Sequence, residues 1–384
     1  MNKRSTFLSY GKQSIDESDI EAVVAVLRSP YLTQGPKSEE FEKSVAEYVG
    51  AKYAVAFSNG TAALHGACYA ADISEGDEVI TTPITFAATS NAVLYCGGTP
   101  VFTDIDERTY NIDPNEIKKK ISSKTKAIMP VDFTGQPVDL DEIMKIADEH
   151  HLVVIEDGAH SLGATYKGKK IGSQAHMTMF SFHPVKPITT GEGGIITTNS
   201  EAYYEKLKRF RSHGISKTPH SIDKGDWYYE MIDLGYNYRM TELQAALGLS
   251  QLNKIDVFIE RRREIAKMYS EQLTNLPGIK VPKQLNETES GWHLYSIQLD
   301  KNVIKKTRKE VFEEMRGLYI GVHVHYIPVY WHPYYQELGY KKGICSTAEY
   351  WYEQALTLPI FPGMKDKDVM EVVEALKMTL GIQK

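Results

Sequence analysis

Cysteine is scarce: the 384 residues hold three, Cys68, Cys96 and Cys345, with no C-x-x-C pair. An odd, scattered set excludes a disulfide framework and a zinc ribbon, and predicts reduced packing residues in a cytoplasmic protein. Long apolar runs are missing too. No stretch approaches the ~18–20 apolar residues of a membrane-crossing helix. The basic residues within Met1–Thr6 are not followed by the apolar segment of a signal peptide. Neither sign of charge dominates: 44 Lys and Arg against 50 Asp and Glu give a net charge of −6. That balance offers no electrostatic case for nucleic acid or an anionic membrane as a partner. The 12 histidines include no H-E-x-x-H pattern, so no metal is expected. Neither G-x-x-x-x-G-K-[ST] nor G-x-G-x-x-G occurs, which excludes a P-loop and a dinucleotide fingerprint.

What is present is an ordinary globular composition, 42% hydrophobic and 24% charged. The chain exceeds the roughly 250–300 residues at which one core stops growing, and two domains are expected, residues 1–255 and 256–384. Ile15–Leu27 reads as an amphipathic helix with Ser14 or Asp16 at its cap. Tyr31–Gly35 reads as a loop and Glu39–Tyr48 as a second helix. From Lys52 to Glu156 strands (Glu78–Thr82, Pro100–Ile105, Lys126–Val131) alternate with helical stretches. This predicts an α/β fold with a mostly parallel sheet covered on both faces. Ala202–Arg211 reads as a helix, His220–Met231 as a long loop, and Thr241–Leu273 as a helix interrupted near Lys254-Ile255-Asp256. Beyond Pro277 the order strand Trp292–Leu299, helix Arg308–Leu318, strand Ile320–His325, helix Asp368–Leu380 predicts a small C-terminal α/β domain. Lys118-Lys119-Lys120 is read as a solvated helix face, and Trp331 and Tyr334 as packing aromatics.

The most informative stretch is S-F-H-P-V-K-P-I-T-T-G-E-G-G, Ser181–Gly194. It sets Lys186 on a short loop between two strand-like runs, Met177–Phe182 and Ile195–Thr198, with Pro184 and Pro187 stiffening the backbone. A lysine held between core strands suits Schiff-base chemistry with pyridoxal phosphate (PLP), which needs a fixed, partly desolvated amine. Taken alone, the segment is equally compatible with an exposed lysine on a tight turn. PLP also needs a carboxylate at its pyridine nitrogen. The apolar run Leu152–Ile155 ends in Glu156-Asp157 at the carboxyl end of a strand, where open α/β sheets bind ligands. An acidic pair there also fits an N-cap or a surface turn. Paired with Lys186, Asp157 is the preferred ring partner, with His160 beside the ring or its O3′. The strand Lys52–Phe57, the turn Ser58-Asn59-Gly60-Thr61 and the helix-forming run after it supply the layout that aims backbone N–H groups at a phosphate. A plain helix cap would look the same.

These three motifs, with T-T-P-I-T-F-A-A-T at Thr81–Thr89 and G-Y-N-Y-R-M at Gly235–Met240, resemble the DegT/DnrJ/EryC1/StrS sugar aminotransferases over nearly the whole chain. Within that family, Y-L-T-Q-G (Tyr31–Gly35), F-R-S-H-G (Phe210–Gly214) and V-H-Y-x-P-V-Y (Val324–Tyr330) are most similar to the pseudaminic-acid branch. The resemblance implies a PLP-dependent transferase of fold type I, aspartate aminotransferase-like, with a large domain carrying a mostly parallel sheet and a small C-terminal α/β domain.

It further implies that Lys186 forms the Schiff base and moves the proton between Cα and C4′. Asp157 would pair with the pyridine nitrogen, His160 would lie near the ring and Phe86 would stack on it. Gly60, Thr61 and Ser181 would bind the phosphate, joined by Asn237 from a neighbouring subunit, which makes a homodimer with shared active sites. For the sugar nucleotide the matching positions are Tyr10, the Pro30-Tyr31-Leu32-Thr33 loop and His323-Val324-His325-Tyr326; Arg239 matches a partner for the glutamate carboxylate. The implied substrates are UDP-2-acetamido-2,6-dideoxy-β-L-arabino-hex-4-ulose and L-glutamate. Other UDP- or dTDP-linked 4-keto-6-deoxy sugars, or a regulatory protein that binds PLP or sugar without turnover, are the alternatives. One branch of the family replaces the lysine with histidine and dehydrates sugars; the presence of Lys186 argues against that branch.

Overall fold

A computed structural model describes residues 3–216 and 224–382. Seven strands form the main sheet, in the order Tyr53–Phe57, Gly194–Thr198, Met177–Ser181, Val153–Asp157, Thr125–Met129, Glu78–Thr81, Thr99–Phe102. Gly194–Thr198 runs antiparallel to both of its neighbours, and the remaining pairings are parallel. The sheet is therefore mostly parallel, as the alternating pattern predicts.

Side chains alternate across a strand, and here both sets are apolar. Ala54, Ala56, Ile80, Ile128, Val154, Phe180 and Ile195 enter one buried cluster, with Phe41 and Val45. Val55, Phe57, Val79, Ala127, Ile155, Met179 and Ile196 enter the other, with Leu64 and Ala67. Burial on both faces explains why these strands read as continuous apolar runs.

Helix starts follow their caps. Asp16 forms a capping box at Glu17–Leu27, and Asn59 caps Gly60–Ala70. Pro36 opens Pro36–Val49 at a position where no N–H is needed. The buried Glu242 carboxylate accepts from the Lys37 and Ser38 N–H groups at that helix's start, at 2.6 and 3.1 Å. The expected break in Thr241–Leu273 falls between Glu242–Leu252 and Ile255–Leu273. Lys118 and Lys119 lie on Pro114–Lys120, paired with Glu142 and Glu116.

The C-terminal part corrects one expectation. Its sheet holds Ile279–Lys280, Tyr295–Leu299 and Ala355–Leu358, all antiparallel. Ile320–His325 is not a strand. Ile320 bridges Leu8 and His323 bridges Thr357, so the segment meets two different partners once each and builds no ladder. A Cβ at Gly321 would stand 2.5 Å from the Leu8 carbonyl oxygen, which only glycine permits. Tyr295, Ile297, Leu356, Leu358, Val311 and Leu376 form this region's core. Residues 329–355 instead pack Tyr330, Tyr335 and Trp351 against Ile84, Phe102 and Phe133. Trp331 packs edge-on against Tyr352, and Tyr334, exposed to solvent, meets the Tyr335 ring edge-on.

Of the expected loop His220–Met231, residues 220–223 lie outside the described residues. Its end, Glu230–Met231, forms a short strand paired with Ile215–Ser216. Cys68 and Cys345 are buried, Cys96 is half-buried and all three are unpaired. Among the described residues no helix is long and apolar enough to cross a membrane.

Candidate active site

Lys186 sits on the loop that joins two antiparallel neighbours, Met177–Ser181 and Gly194–Thr198. The loop is closed at its neck, where the Phe182 N–H donates to the Gly193 carbonyl (2.9 Å) and the Thr190 N–H to the Phe182 carbonyl (3.0 Å). At its tip the Lys186 N–H donates to the His183 carbonyl at 2.9 Å. The side chain enters a cavity of about 960 Å3. Burial lowers its ammonium to about 8, with the Asp157 charge pulling the other way. The amine is thus partly neutral near physiological pH and able to act as a nucleophile or base.

Asp157 ends its strand on the cavity side, and the preceding Glu156 points to the opposite face. The Asp157 Oδ2 accepts from the Thr89 hydroxyl at 2.7 Å, and Oδ1 accepts from the Ala159 N–H at 3.1 Å. Burial raises its proton affinity, opposed by those two bonds and by Lys186. Beside it three buried imidazoles, His160, His293 and His325, are pushed well below the ordinary histidine range by burial, so they are neutral. The His160 and His293 rings lie 4.4 Å apart. His160 Nε2 is 3.4 Å from the Tyr326 hydroxyl, and His325 Nδ1 is 3.0 Å from the Thr357 hydroxyl. Among the described residues no three His, Cys, Asp or Glu are grouped to hold a metal ion.

The turn into Gly60–Ala70 also lines the cavity, through Asn59, Gly60 and Thr61. Asn59 Oδ1 accepts from the Ala62 N–H at 2.8 Å. Gly60 and Thr61 stand at the helix N-terminus, where backbone donors lack helical acceptors and the dipole favours an anion. Ser181 stands so near this turn that a Cβ at Gly60 would lie 3.2 Å from the Ser181 Cβ.

Of the residues expected from the sequence, Tyr10, Gly60, Thr61, Phe86, Asp157, His160, Ser181, Lys186, His323, His325 and Tyr326 line this one cavity. Phe86 is 64% exposed on its wall. The others stand elsewhere in the chain. Pro30 and Tyr31 line a separate groove of about 540 Å3, and Leu32 and Thr33 are exposed beside the Thr33–Thr241 bridge. Val324 lies outside the cavity wall between two histidines that form it. Asn237 and Arg239 likewise flank Tyr238, which does line it; neighbours on an extended chain point to opposite sides. Sequence reading missed Thr85, Thr89, Asn59, Tyr238 and His293. The N-cap pattern could have found Asn59 and the spacing within T-T-P-I-T-F-A-A-T the threonines; His293, alone in W-H-L-Y, carries no local signal.

The arrangement holds what PLP requires: an anion cradle at a helix start, a buried carboxylate in the same cavity, an uncovered aromatic face and an amine of lowered proton affinity. His160 Nδ1 is buried with no partner in the chain, as a group awaiting a ligand would be.

Residues 13–377 match the model of the DegT/DnrJ/EryC1/StrS aminotransferase family. The Bacillus subtilis spore coat polysaccharide biosynthesis protein SpsC is 43% identical over 98% of both chains. A Campylobacter jejuni UDP-4-amino-4,6-dideoxy-N-acetyl-β-L-altrosamine transaminase is 40% identical over 96% of both. Among solved structures, Helicobacter pylori PseC, an aminotransferase of pseudaminic acid biosynthesis, superposes with a TM-score of 0.92 at 35% identity, covering 98% of this chain and 100% of its own. The Streptococcus pneumoniae protein Spr1654 in a PLP form does so at 0.91 and 28% identity, covering 98% and 100%. On this site and these matches, the chain belongs to the DegT/DnrJ/EryC1/StrS aminotransferase family, whose members are PLP-dependent sugar aminotransferases.

Proposed function

We propose that this enzyme moves the amino group of L-glutamate to C4 of a UDP-linked 4-keto-6-deoxy sugar, with UDP-2-acetamido-2,6-dideoxy-β-L-arabino-hex-4-ulose as the foremost substrate. The observation that carries the reading is one cavity that joins the PLP cradle and the softened Lys186 amine to a set of hydrogen-bonding rings, Tyr10, His323, His325 and Tyr326. Imidazole and phenol groups suit the hydroxyl and amide edges of a sugar. The Campylobacter relative's UDP-sugar substrate and the PseC likeness support this acceptor.

Bound PLP supplies an electron sink that stabilises negative charge at the donor's Cα. The chain's own residues do the rest. Asp157 presents a carboxylate to the ring nitrogen, and Gly60, Thr61 and Ser181 hold the phosphate. Phe86 covers a ring face, and His160 keeps a neutral hydrogen-bonding group beside it. Lys186, neutral in part, takes the proton from the glutamate Cα and later delivers one to C4 of the sugar from one side.

The site is completed by a second copy of the chain. Trp227 and Leu234, 80% and 76% exposed, lead an uncovered apolar stretch that runs into Asn237. Such a patch marks an interface, and it would carry Asn237 and Arg239 to the partner's cavity. The Pro30–Thr33 loop is tied to the chain just beyond Arg239 through the Thr33–Thr241 bridge.

The 43% identity to SpsC favours a second reading, in which the acceptor is another UDP- or dTDP-linked 4-keto sugar. Turnover against a panel of 4-keto sugar nucleotides, with products identified by NMR, decides between them. Preference for the L-arabino-hexulose supports the first reading, and preference for another sugar supports the second. No amination of any member overturns both.

A further inference from the structure

Asp157 is served by a chain of hydroxyls that reaches back to the cavity wall. Thr89 Oγ1 lies 2.7 Å from Asp157 Oδ2 and 2.7 Å from Thr85 Oγ1. Thr85 and Thr89 are 3% and 0% exposed, so water does not compete for these bonds. Each hydroxyl has one proton to give. When Asp157 is ionised it can only accept, so Thr89 donates to Asp157 and Thr85 donates to Thr89. When Asp157 carries a proton on Oδ2, the order reverses and Thr85, which lines the cavity, takes the free end. The chain therefore directs both of its protons toward Asp157 when the carboxyl group is ionised, and leaves one at the free end on Thr85 when it is not.

The carboxylate has about four lone-pair directions. Thr89 and the Ala159 N–H occupy one on each oxygen, which fixes the plane of the group and leaves its remaining directions for the cavity. Burial works against the negative charge. The Thr89 bond is the largest opposing influence, ahead of the Ala159 bond and Lys186.

We propose that Thr89, backed by Thr85, is a positioning residue that orients Asp157 toward the cofactor's ring nitrogen and holds it ionised there. This rests on the PLP reading of the site. The signals to measure are the dissociation constant for PLP and the 15N chemical shift of ring-labelled PLP in the holoenzyme, which reports whether that nitrogen is protonated. Loss of one hydrogen bond to a charged group predicts that Thr89→Val holds PLP roughly ten- to a hundredfold more weakly. Its ring-nitrogen signal is expected to move toward the unprotonated position. Thr89→Ser restores both signals, and Thr85→Val shifts both in the same direction by less.

A Thr89→Val protein with wild-type affinity and an unmoved nitrogen signal overturns the proposal. So does a loss that Thr89→Ser fails to repair, because the hydroxyl is then not responsible. Should Thr89→Val not fold, a Thr85→Val protein with an unmoved signal overturns the hydroxyl chain. Wild-type protein that takes up no PLP overturns the cofactor reading itself, and this is seen before any variant is compared.

Discussion

Gly194 and Asn59 touch so closely that a Cβ on the glycine would sit 2.5 Å from the Asn59 carbonyl oxygen and 2.7 Å from the Gly60 Cα. The end of the lysine loop and the phosphate turn are thus packed backbone to backbone, and the glycine sets how near they come. Gly194→Ala forces the turn away. Overpacking of this kind costs about 1–3 kcal/mol, so the expected result is a lower Tm together with weaker PLP retention. Both are measured on the same preparation, by thermal unfolding and by equilibrium dialysis of PLP. A Tm loss without any change in PLP affinity would show that the turn does not bind the phosphate.

Lys186 gives a pH signature. Its proton affinity is lowered to about 8, against about 10.4 for an ordinary lysine. Only the neutral amine captures PLP covalently. The capture rate of PLP-free protein is therefore expected to rise with pH and reach half its maximum near pH 8. The growth of bound-PLP absorbance after mixing reads this directly. Lys186→Ala is expected to lose covalent capture and to leave turnover at background. A midpoint near that of free lysine would show that the amine is not desolvated.

Asp132 and Glu156 are buried carboxyls behind the cavity. Burial raises Asp132 to about 7 against the Ser161 and Val138 bonds, and Glu156 is raised by burial and by Asp132. An acid raised on folding binds more protons folded than unfolded between pH 4 and 7, so its contribution to stability falls across that window. Asp132→Asn removes this titration. Wild-type Tm minus variant Tm is expected to be largest near pH 4, to shrink as the pH rises to about 7 and to level off above it. A constant difference from pH 5 to 8 would remove Asp132 from this account.

Asn237 is expected to act in the partner's site. An amide bond to phosphate is worth about 1.5–3 kcal/mol, so Asn237→Ala should weaken PLP retention by one to two orders of magnitude. Mixing inactive Lys186→Ala with Asn237→Ala and allowing subunit exchange distinguishes the two geometries. If the residue reaches across, each mixed dimer has one site with both lesions and one with neither, and activity partly returns. If it acts within its own chain, each site has one lesion and mixing restores nothing. Mass spectrometry confirms that exchange has occurred.

Local signals in the sequence determined much of this protein. The apolar runs Ala54–Phe57, Val79–Ile80 and Val153–Ile155 specify strands because both faces of the sheet are covered. Asn59-Gly60-Thr61 specifies a helix start, and the prolines and glycines around Lys186 specify a tight loop. Each depends on backbone preferences within a few residues. Partner choice does not. Thr89 meets Asp157 across 68 positions and Tyr326 meets His160 across 166, and no pattern within either segment encodes the other. Ile320–His325 has the alternation of a strand but is divided between Leu8 and Thr357, while the four-residue strand Ala355–Leu358 gave too short a run to stand out. The placement of Asn237, Arg239 and the Pro30–Thr33 loop away from their own chain's cavity is likewise a product of the fold. Periodicity fixes which face a side chain takes, whereas its neighbour on that face is set only when distant segments pack together.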